Sequence, residues 1–522
     1  MHILFTIPEL VEPIVKHLIV PGSRFSKKSS ELSYLSDDAY RDITAVGQTA
    51  RLFRESSLDA IWRVQISLLP LMRAVDFEMK IMNIVAGGVP FKLYNILKLL
   101  NTDDATRILW TYSSRISELR LQSFPIILAY SDTIFAGLFP RLQVLKSPAD
   151  NITQTHLVLH GTGDMLERLD VLGSPCPIPL LEDIAAKASR LKHLALQWTH
   201  DDPVHEPREV PDHVYVNFIE AFQKASLLEV LHVVAKFDNG VLIWKTLTQI
   251  ASLTQLTLDL RGSPRVPFEE LAEFSTLVSF HLIASDTLRY PIDLLAKCTF
   301  RRLQTLGLRF NCRSPPTLDE ATHLITAIAA SNPSATLRSL QIETYVVRPW
   351  TVVPIRPHAV KPLLRFPIIQ HLDLGGHWCW DLDDDFMREL ANAWPDLEVL
   401  RLDVTRNRPV TSRITVSGLE ALVQYCPRLR DLDLTFSGTI PKVLVHHSIG
   451  TVELDVLAGG KQNEVLTCIG EGCSDVDSPV ELAAILGRMF PELRVLEAAK
   501  HSFRKQWREV RDHLPANLND HP

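Results

Sequence analysis

Leu303-Gln304-Thr305-Leu306-Gly307-Leu308 and, 34 residues later, Leu337-Arg338-Ser339-Leu340-Gln341-Ile342 share one pattern: three apolar residues spaced Leu-x-x-Leu-x-Leu. The last two stand at i and i+2, so a short strand carries both on one face and buries them together. The pattern recurs upstream at Ile116/Leu119/Leu121, Leu166/Leu169/Val171, Leu191/Leu194/Leu196, Leu228/Leu231/Val233, Leu253/Leu256/Leu258 and Leu277/Phe280/Leu282. Downstream it returns at Ile369/Leu372/Leu374, Leu397/Leu400/Leu402, Leu429/Leu432/Leu434 and Leu493/Leu496/Ala498. Weaker copies stand at Leu142/Leu145 and Ile449/Val452/Leu454.

The spacing separates a repeat from chance strands. From Leu119 to Leu145, Leu169 and Leu194 the central residue advances 26, 24 and 25 positions; from Leu231 to Leu256, Phe280 and Leu306 it advances 25, 24 and 26. Leucine-rich repeats have a period of about 20–29 residues. Unrelated alternating strands would not keep this step over a dozen copies. The expected fold is α/β: a leucine-rich-repeat solenoid, a horseshoe with a concave parallel sheet and convex helices, each unit touching only its neighbours. Residues 319–331 give the clearest helix, with Ala321, Leu324, Ile325 and Ile328 at helical spacing. Residues 217–225 and 182–188 are weaker helices. Residues 346–362, with four prolines and Trp350, read as an extended inserted loop, and the polar stretch 199–213 as another. Between Gly375 and Asp385, His377, Trp378, Cys379 and Trp380 precede the acidic run Asp381, Asp383, Asp384 and Asp385. The acids read as the start of a helix over 386–394. The aromatics read as loop packing, with a partner-contact patch as the alternative.

Prolines punctuate the repeat. The chain has 33 Pro against 21 Gly, the reverse of ordinary usage. Five stand two residues before a strand's first apolar position, in Phe139-Pro140, Phe366-Pro367, Trp394-Pro395, Cys426-Pro427 and Phe490-Pro491. Proline there pushes the preceding residue out of helical geometry and turns the chain toward the strand.

Composition narrows the function classes. With 522 residues, 46% hydrophobic and 22% charged, the chain is long enough for several domains or an extended repeat. A net charge of -7 argues against a general nucleic-acid binder. The apolar stretch 124–140 is broken by Asp132 and bounded by prolines, so no membrane span is expected. The opening residues have no basic stretch before Pro8, Glu9 and Glu12, and the last four, Asn-Asp-His-Pro, form no prenylation motif. The seven cysteines are odd in number and scattered, which fits reduced thiols in the cytoplasm and/or nucleus.

Ahead of the repeats lies a different module. Leu10, Val11, Ile14 and Leu18 share helical spacing, interrupted by Pro13, and residues 21–38 are a polar loop. Residues 42–53 form a second apolar-periodic segment and 57–73 a third, with Leu58, Ile61, Trp62, Leu68 and Leu69. The run Ile7-Pro8-Glu9-Leu10 through Leu18, with Asp42-Ile43, Arg51-Leu52-Phe53 and Leu58-Asp59-Ala60-Ile61-Trp62-Arg63, resembles the F-box. Its continuation Ser67-Leu68-Leu69-Pro70-Leu71 is similar to fungal F-box proteins with leucine-rich repeats. It departs from the pattern at Pro13 and in the long 21–38 stretch.

The resemblance implies a substrate-recognition subunit of a Skp–cullin–F-box ubiquitin ligase. Its N-terminal helices would dock on a Skp-type adaptor, and through it on a cullin, while the repeats present a protein target of unknown identity. Carried over by position, the adaptor-binding candidates are Ile7, Pro8, Leu10, Ile14, Leu18, Ile43 and Phe53. The implied organisation is an F-box and following helix at 1–75, a helical linker at 76–115, irregular repeats at 116–498 and a tail at 499–522. The alternative is a non-enzymatic scaffold whose N-terminal helices only cap the solenoid.

No catalytic residue, metal or cofactor is expected. Phosphate-binding, nucleophile-elbow and His-Glu-x-x-His motifs are missing. His156 and His160 stand four apart, but their surroundings run apolar and no third ligand is adjacent; His446-His447 and Cys468/Cys473 lack a matching pair. Residues flanking the strand leucines, among them Lys192, His193, Gln197, Gln255, Thr257, Arg309, Glu398, Arg401, Arg430 and Asp431, mix both signs and suit a protein partner.

Overall fold

The computed structural model describes residues 51–65, 110–121, 137–148, 152–173, 178–187, 190–198, 227–234, 247–259, 271–286, 288–312, 316–346, 354–376, 380–402, 413–434, 436–437, 468–471, 478–491, 495–497 and 504–514, and single residues Glu220, Trp244, Trp378 and Val476. The chain divides into two compact units, Met1–Val234 and Ala235–Pro522, each organised around parallel strands.

In the first unit, helix α1 (Arg51–Trp62) leads into β1 (Val64–Gln65), β2 (Glu118–Arg120), β3 (Val144–Pro148), β4 (Arg168–Gly173), β5 (His193–Trp198) and β6 (Val230–Val234). Each strand pairs in parallel with the next. Helix α2 (Ile152–Gly161) joins β3 to β4, and α3 (Ile178–Ala186) joins β4 to β5.

The second unit holds β7 (Gln255–Asp259), β8 (Ala272–Phe274), β9 (Ser279–Asp286), β10 (Cys298–Phe300), β11 (Thr305–Cys312), β12 (Ser339–Val346), β13 (His371–Asp373), β14 (Val399–Leu402), β15 (Asp431–Leu434), β16 (Cys468–Glu471) and β17 (Val495–Glu497). Strands β8 and β10 form a separate parallel pair; the rest follow one another in chain order, all parallel. The intervening helices are α4 (Arg289–Lys297), α5 (Leu318–Ser331), α6 (Pro357–Val360) with a following 3₁₀ turn (Lys361–Arg365), α7 (Asp384–Ala393), α8 (Val416–Tyr425), α9 (Pro479–Met489) and α10 (Arg504–His513).

The apolar triplets do what their spacing requires. Leu306, Leu340, Leu372, Leu400 and Leu432 align across neighbouring strands, and all are buried, as are the residues two further on. Helix α5 supplies the opposing apolar face through Ala321, Leu324, Ile325 and Ile328, all buried. Thr317 closes its N-terminus in a capping box with Glu320.

Strand entry follows a single hydrogen-bond pattern. The carbonyl two residues before the central apolar position accepts two consecutive N–H groups from the next rung. Val278 O receives Gln304 N and Thr305 N, Gln304 O receives Arg338 N and Ser339 N, and Arg338 O receives Gln370 N and His371 N, all at 2.7–3.0 Å. Gln370 and Glu398 continue the series in this unit; Arg63, Ser117, Gln143, Glu167 and Lys192 carry it through the first.

The prolines sit just upstream of these donor pairs. Phe366, Trp394, Cys426 and Phe490 are all buried, and each ends its helix in a non-helical conformation with φ between -95° and -134° and positive ψ. The following proline disfavours helical geometry at this residue. Asn332 before Pro333 ends α5 the same way and donates its Nδ2 to Leu303 O at 3.1 Å.

Several expectations change. Residues 51–62 form one helix that joins the end of the segment read over 42–53 to the start of that read over 57–73, and it stops at Trp62, with β1 beginning at Val64. The rung between β15 and β17 is β16, with Ile469 opposite Leu432 and Leu496. The copy read at Ile449/Val452/Leu454 lies outside the described residues. Not all of 346–362 is an extended loop, since residues 357–365 are helical. The weak helix at 182–188 runs instead from Ile178 to Ala186. The acidic run does open a helix: Asp383 accepts Phe386 N at 3.0 Å and α7 begins at Asp384. Trp378 and Trp380 are buried and stacked at 5.3 Å, and Trp380 Nε1 donates to Leu374 O. Packing, not partner contact, accounts for both. The segment 499–522 includes α10, whose Trp507 is buried edge-on against Phe436.

Two substitutions test this packing. Leu372→Ala should cost about 2–5 kcal/mol in denaturant unfolding, because the side chain is wholly buried. Gly376 has φ +96°, and a Cβ there would lie 2.2 Å from Thr344 O, so Gly376→Ala should be comparably damaging.

Candidate functional site

Alternation along each strand leaves three outward rows, at -1, +1 and +3 from the central apolar residue. In the second unit the +1 row runs His281, Gly307, Gln341, Asp373, Arg401, Asp433, and the +3 row includes Ile283, Arg309 and Glu343. Charges on these rows pair across strands. Arg309 Nε donates to Glu343 at 2.8 Å, and Glu343 also accepts from Gln341 Nε2 and Tyr345 Oη. The Arg309 guanidinium lies 5.9 Å from the Tyr345 ring centre. Arg401 bridges Asp431 at 2.5 Å and Asp373 at 3.7 Å, while Arg430 reaches Glu398 at 2.6 Å. His281 fills the space a side chain at Gly307 would need.

The first unit centres on Asp170, at +1 in β4 and buried. Arg168 at 2.9 Å, His193 at 3.1 Å and Lys146 at 3.6 Å converge on its carboxylate. Burial alone would raise its pKa, but hydrogen bonds from His193 and Arg168, with their charges, hold it below the ordinary aspartate value. Asp373, at the same row position in β13, goes the other way: burial raises it, and Glu343 and Asp431 add to that against the pull of Arg401 and the Gly375 N–H. Burial lowers His281, and nearby Arg309 lowers it further, which favours the neutral ring.

Of the flanking residues named from sequence, His193, Gln255, Thr257, Arg309, Arg401 and Asp431 stand on the outward rows, exposed or half-buried. Lys192, Glu398 and Arg430 lie one step earlier, at the double-acceptor position or its equivalent, and stay accessible. Gln197 is in β5, though its side chain is outside the described residues. Sequence reasoning missed Asp170, His281, Glu343 and Asp373. The signal was available, since each sits at an odd offset from a repeat leucine.

Ile7, Pro8, Leu10, Ile14, Leu18 and Ile43 lie outside the described residues, and Phe53 is placed only as a member of α1. Helix α1 is tied to the first rung. Arg115 pairs with Asp59 and Glu55, Trp62 stacks on Tyr112 at 4.7 Å, and Arg63 O receives Ser117 N and Glu118 N. His156 and His160, four apart on α2, meet Asp183 of α3. Among the described residues Cys298, Cys312 and Cys426 are buried and form no disulfide. Among the described residues no helix is long and apolar enough to cross a membrane.

No protein-family model and no curated protein matches the chain. Among solved structures it is similar to a chain from the crystal structure of the Rad7 and Elc1 complex in yeast, at 15% identity and TM-score 0.34, over 89% of this chain and 93% of that one. A likeness of that size carries neither fold nor function to this protein.

The two aspartates should respond oppositely to substitution. Asp170 has a depressed folded pKa, so its stabilisation is present above the unfolded value and lost as pH falls through the folded one. Asp170→Asn should therefore destabilise at neutral pH, with the gap to wild type closing on acidification. Asp373 has a raised folded pKa, so ionising it works against folding, and Asp373→Asn should leave neutral-pH stability unchanged or higher. Denaturant unfolding of both variants across the acid range measures this.

Proposed function

We propose that the chain is a leucine-rich-repeat substrate receptor of a Skp–cullin–F-box ubiquitin ligase. In this reading the parallel rungs form a solenoid whose outward rows dock a protein target. The segment resembling an F-box recruits a Skp-type adaptor, and through it a cullin. The chain itself is non-catalytic; it acts by holding a target near the transferring enzyme, which raises effective concentration. Its place of action is the cytoplasm or nucleus.

One observation carries the reading of the repeats: in-register apolar rungs present rows of Arg, Glu, Asp, His and Tyr to solvent. Rows of mixed sign suit selective protein recognition. A nucleic-acid phosphate backbone would call for a basic stripe, whereas acidic residues stand on both sides of Arg401. For the adaptor, support comes from the sequence Ile7-Pro8-Glu9-Leu10 through Arg63 and from its place ahead of the first rung.

The scaffold alternative draws on the ties between α1 and the first rung, which have the form of a cap. Residues 51–65 belong to that rung, so a deletion that separates the two readings must stop before residue 51.

The full-length tagged chain should co-purify with a Skp-type adaptor, and Pro8→Ala with Leu10→Ala should abolish this. Adaptor retention by the double variant would contradict the assigned contact. Removal of residues 1–50 should leave a cooperatively unfolding repeat domain that no longer binds adaptor. If no adaptor binds the intact chain and this truncation unfolds it, the scaffold reading replaces the ligase one.

A further inference from the structure

Helix α2 buries Thr155, Val158 and Leu159, which turns His156 and His160 to the opposite side, one turn apart. Helix α3 buries Leu180 and Ile184 and brings Asp183 against that pair. His156 Nε2 stands 3.0 Å from Asp183 Oδ2, and His160 Nε2 stands 3.7 Å from Oδ1. One ligand atom from each of the three residues falls within 4.8 Å of the others. The two imidazoles are tilted by 50° with centres 4.7 Å apart, so they converge on the carboxylate instead of stacking on each other.

We propose that His156, His160 and Asp183 form a binding site for a divalent ion of the zinc class, clipping α2 to α3. Ligand atoms about 2.0–2.1 Å from a tetrahedral ion lie about 3.3–3.4 Å from one another; His156 Nε2 is within that reach of Asp183 Oδ2, and His160 Nε2 stands a little beyond it from the other oxygen, Oδ1. Two imidazoles and one carboxylate are a zinc donor set, with water in the fourth position. Asp183 Oδ2 adds an independent sign. It is shielded from solvent and accepts no aligned hydrogen bond, although the His156 nitrogen is only 3.0 Å away. A buried carboxylate oxygen left without an aligned donor is costly in an ordinary ion pair, and is satisfied when both atoms point at a shared cation. The neighbouring cation does not compete for this place: Lys187 Nζ donates to Thr162 O at 2.9 Å.

The test uses the full chain, stripped with chelator and titrated with Zn²⁺, bound metal being measured after equilibrium dialysis. Wild type should hold one zinc ion that His156→Gln and Asp183→Asn lose, while His446→Gln with His447→Gln keeps it. Zinc should also raise the melting temperature of wild type and of the His446/His447 variant, but not of the other two. Co²⁺ titration of wild type decides the matter even where a variant fails to fold. Intense visible absorption of tetrahedral cobalt, displaced by zinc, supports the site. Absence of saturable zinc binding, or equal binding by wild type and a folded Asp183→Asn, overturns it.

Discussion

The structure depends on one carbonyl per rung. Among the described residues, two positions before the central residue of a rung, a single C=O accepts two successive N–H groups from the following rung, from Arg63 to Lys192 in one unit and from Thr254 to Glu398 in the other. That double acceptance fixes where each strand begins relative to its neighbour. A slip of one residue would turn every repeat leucine to solvent. The same constraint explains where the prolines stand. A proline at either donor position would remove a required N–H, whereas two residues before the first apolar position it only turns the chain.

With register fixed, the outward rows become a consequence of the inward ones. The odd offsets are free of the core's demand for leucine, and in both units they carry charge that pairs across strands: Asp170 with His193 and Lys146, and Arg401 with Asp373 and Asp431. The partly exposed pairs at Arg401 contribute little stability each, about 0–1 kcal/mol. Their larger effect is to hold long side chains in defined positions, which lowers the ordering cost of binding a partner. Asp170 and Asp373 hold equivalent row positions yet shift in opposite directions: burial raises both, but hydrogen bonds and charges from His193 and Arg168 overcome it at Asp170, whereas at Asp373 Glu343 and Asp431 add to it against Arg401.

Most of the architecture was legible in sequence because leucine at a fixed step is a core signal in itself. It failed where a rung broke the composition rule. Strand β1 places Gln65 opposite Leu119, and that glutamine satisfies itself by donating to Ile61 O at 2.8 Å. Strand β16 pairs Ile469 with Leu432 but Glu471 with Leu434, so its apolar triplet is incomplete in sequence. The outward offset of Asp170 was readable, but its convergence with Lys146, Arg168 and His193 was not: these stand on three rungs, and only register brings them together. Asp183 is 23 residues from His160, beyond any local ligand spacing. Helix ends were legible through Phe-Pro, Trp-Pro and Cys-Pro; that the residue before each proline is buried was not.

Amide hydrogen exchange on the intact chain tests the central claim, that successive rungs are locked through double-accepting carbonyls. Arg338, Ser339, Gln370, His371, Glu398 and Val399 supply the donor pairs of three consecutive rungs. The account predicts that these six amides are among the slowest to exchange in the second unit, with similar protection from rung to rung. Rapid exchange at Gln370 and His371 while the rungs on either side stay protected would contradict it.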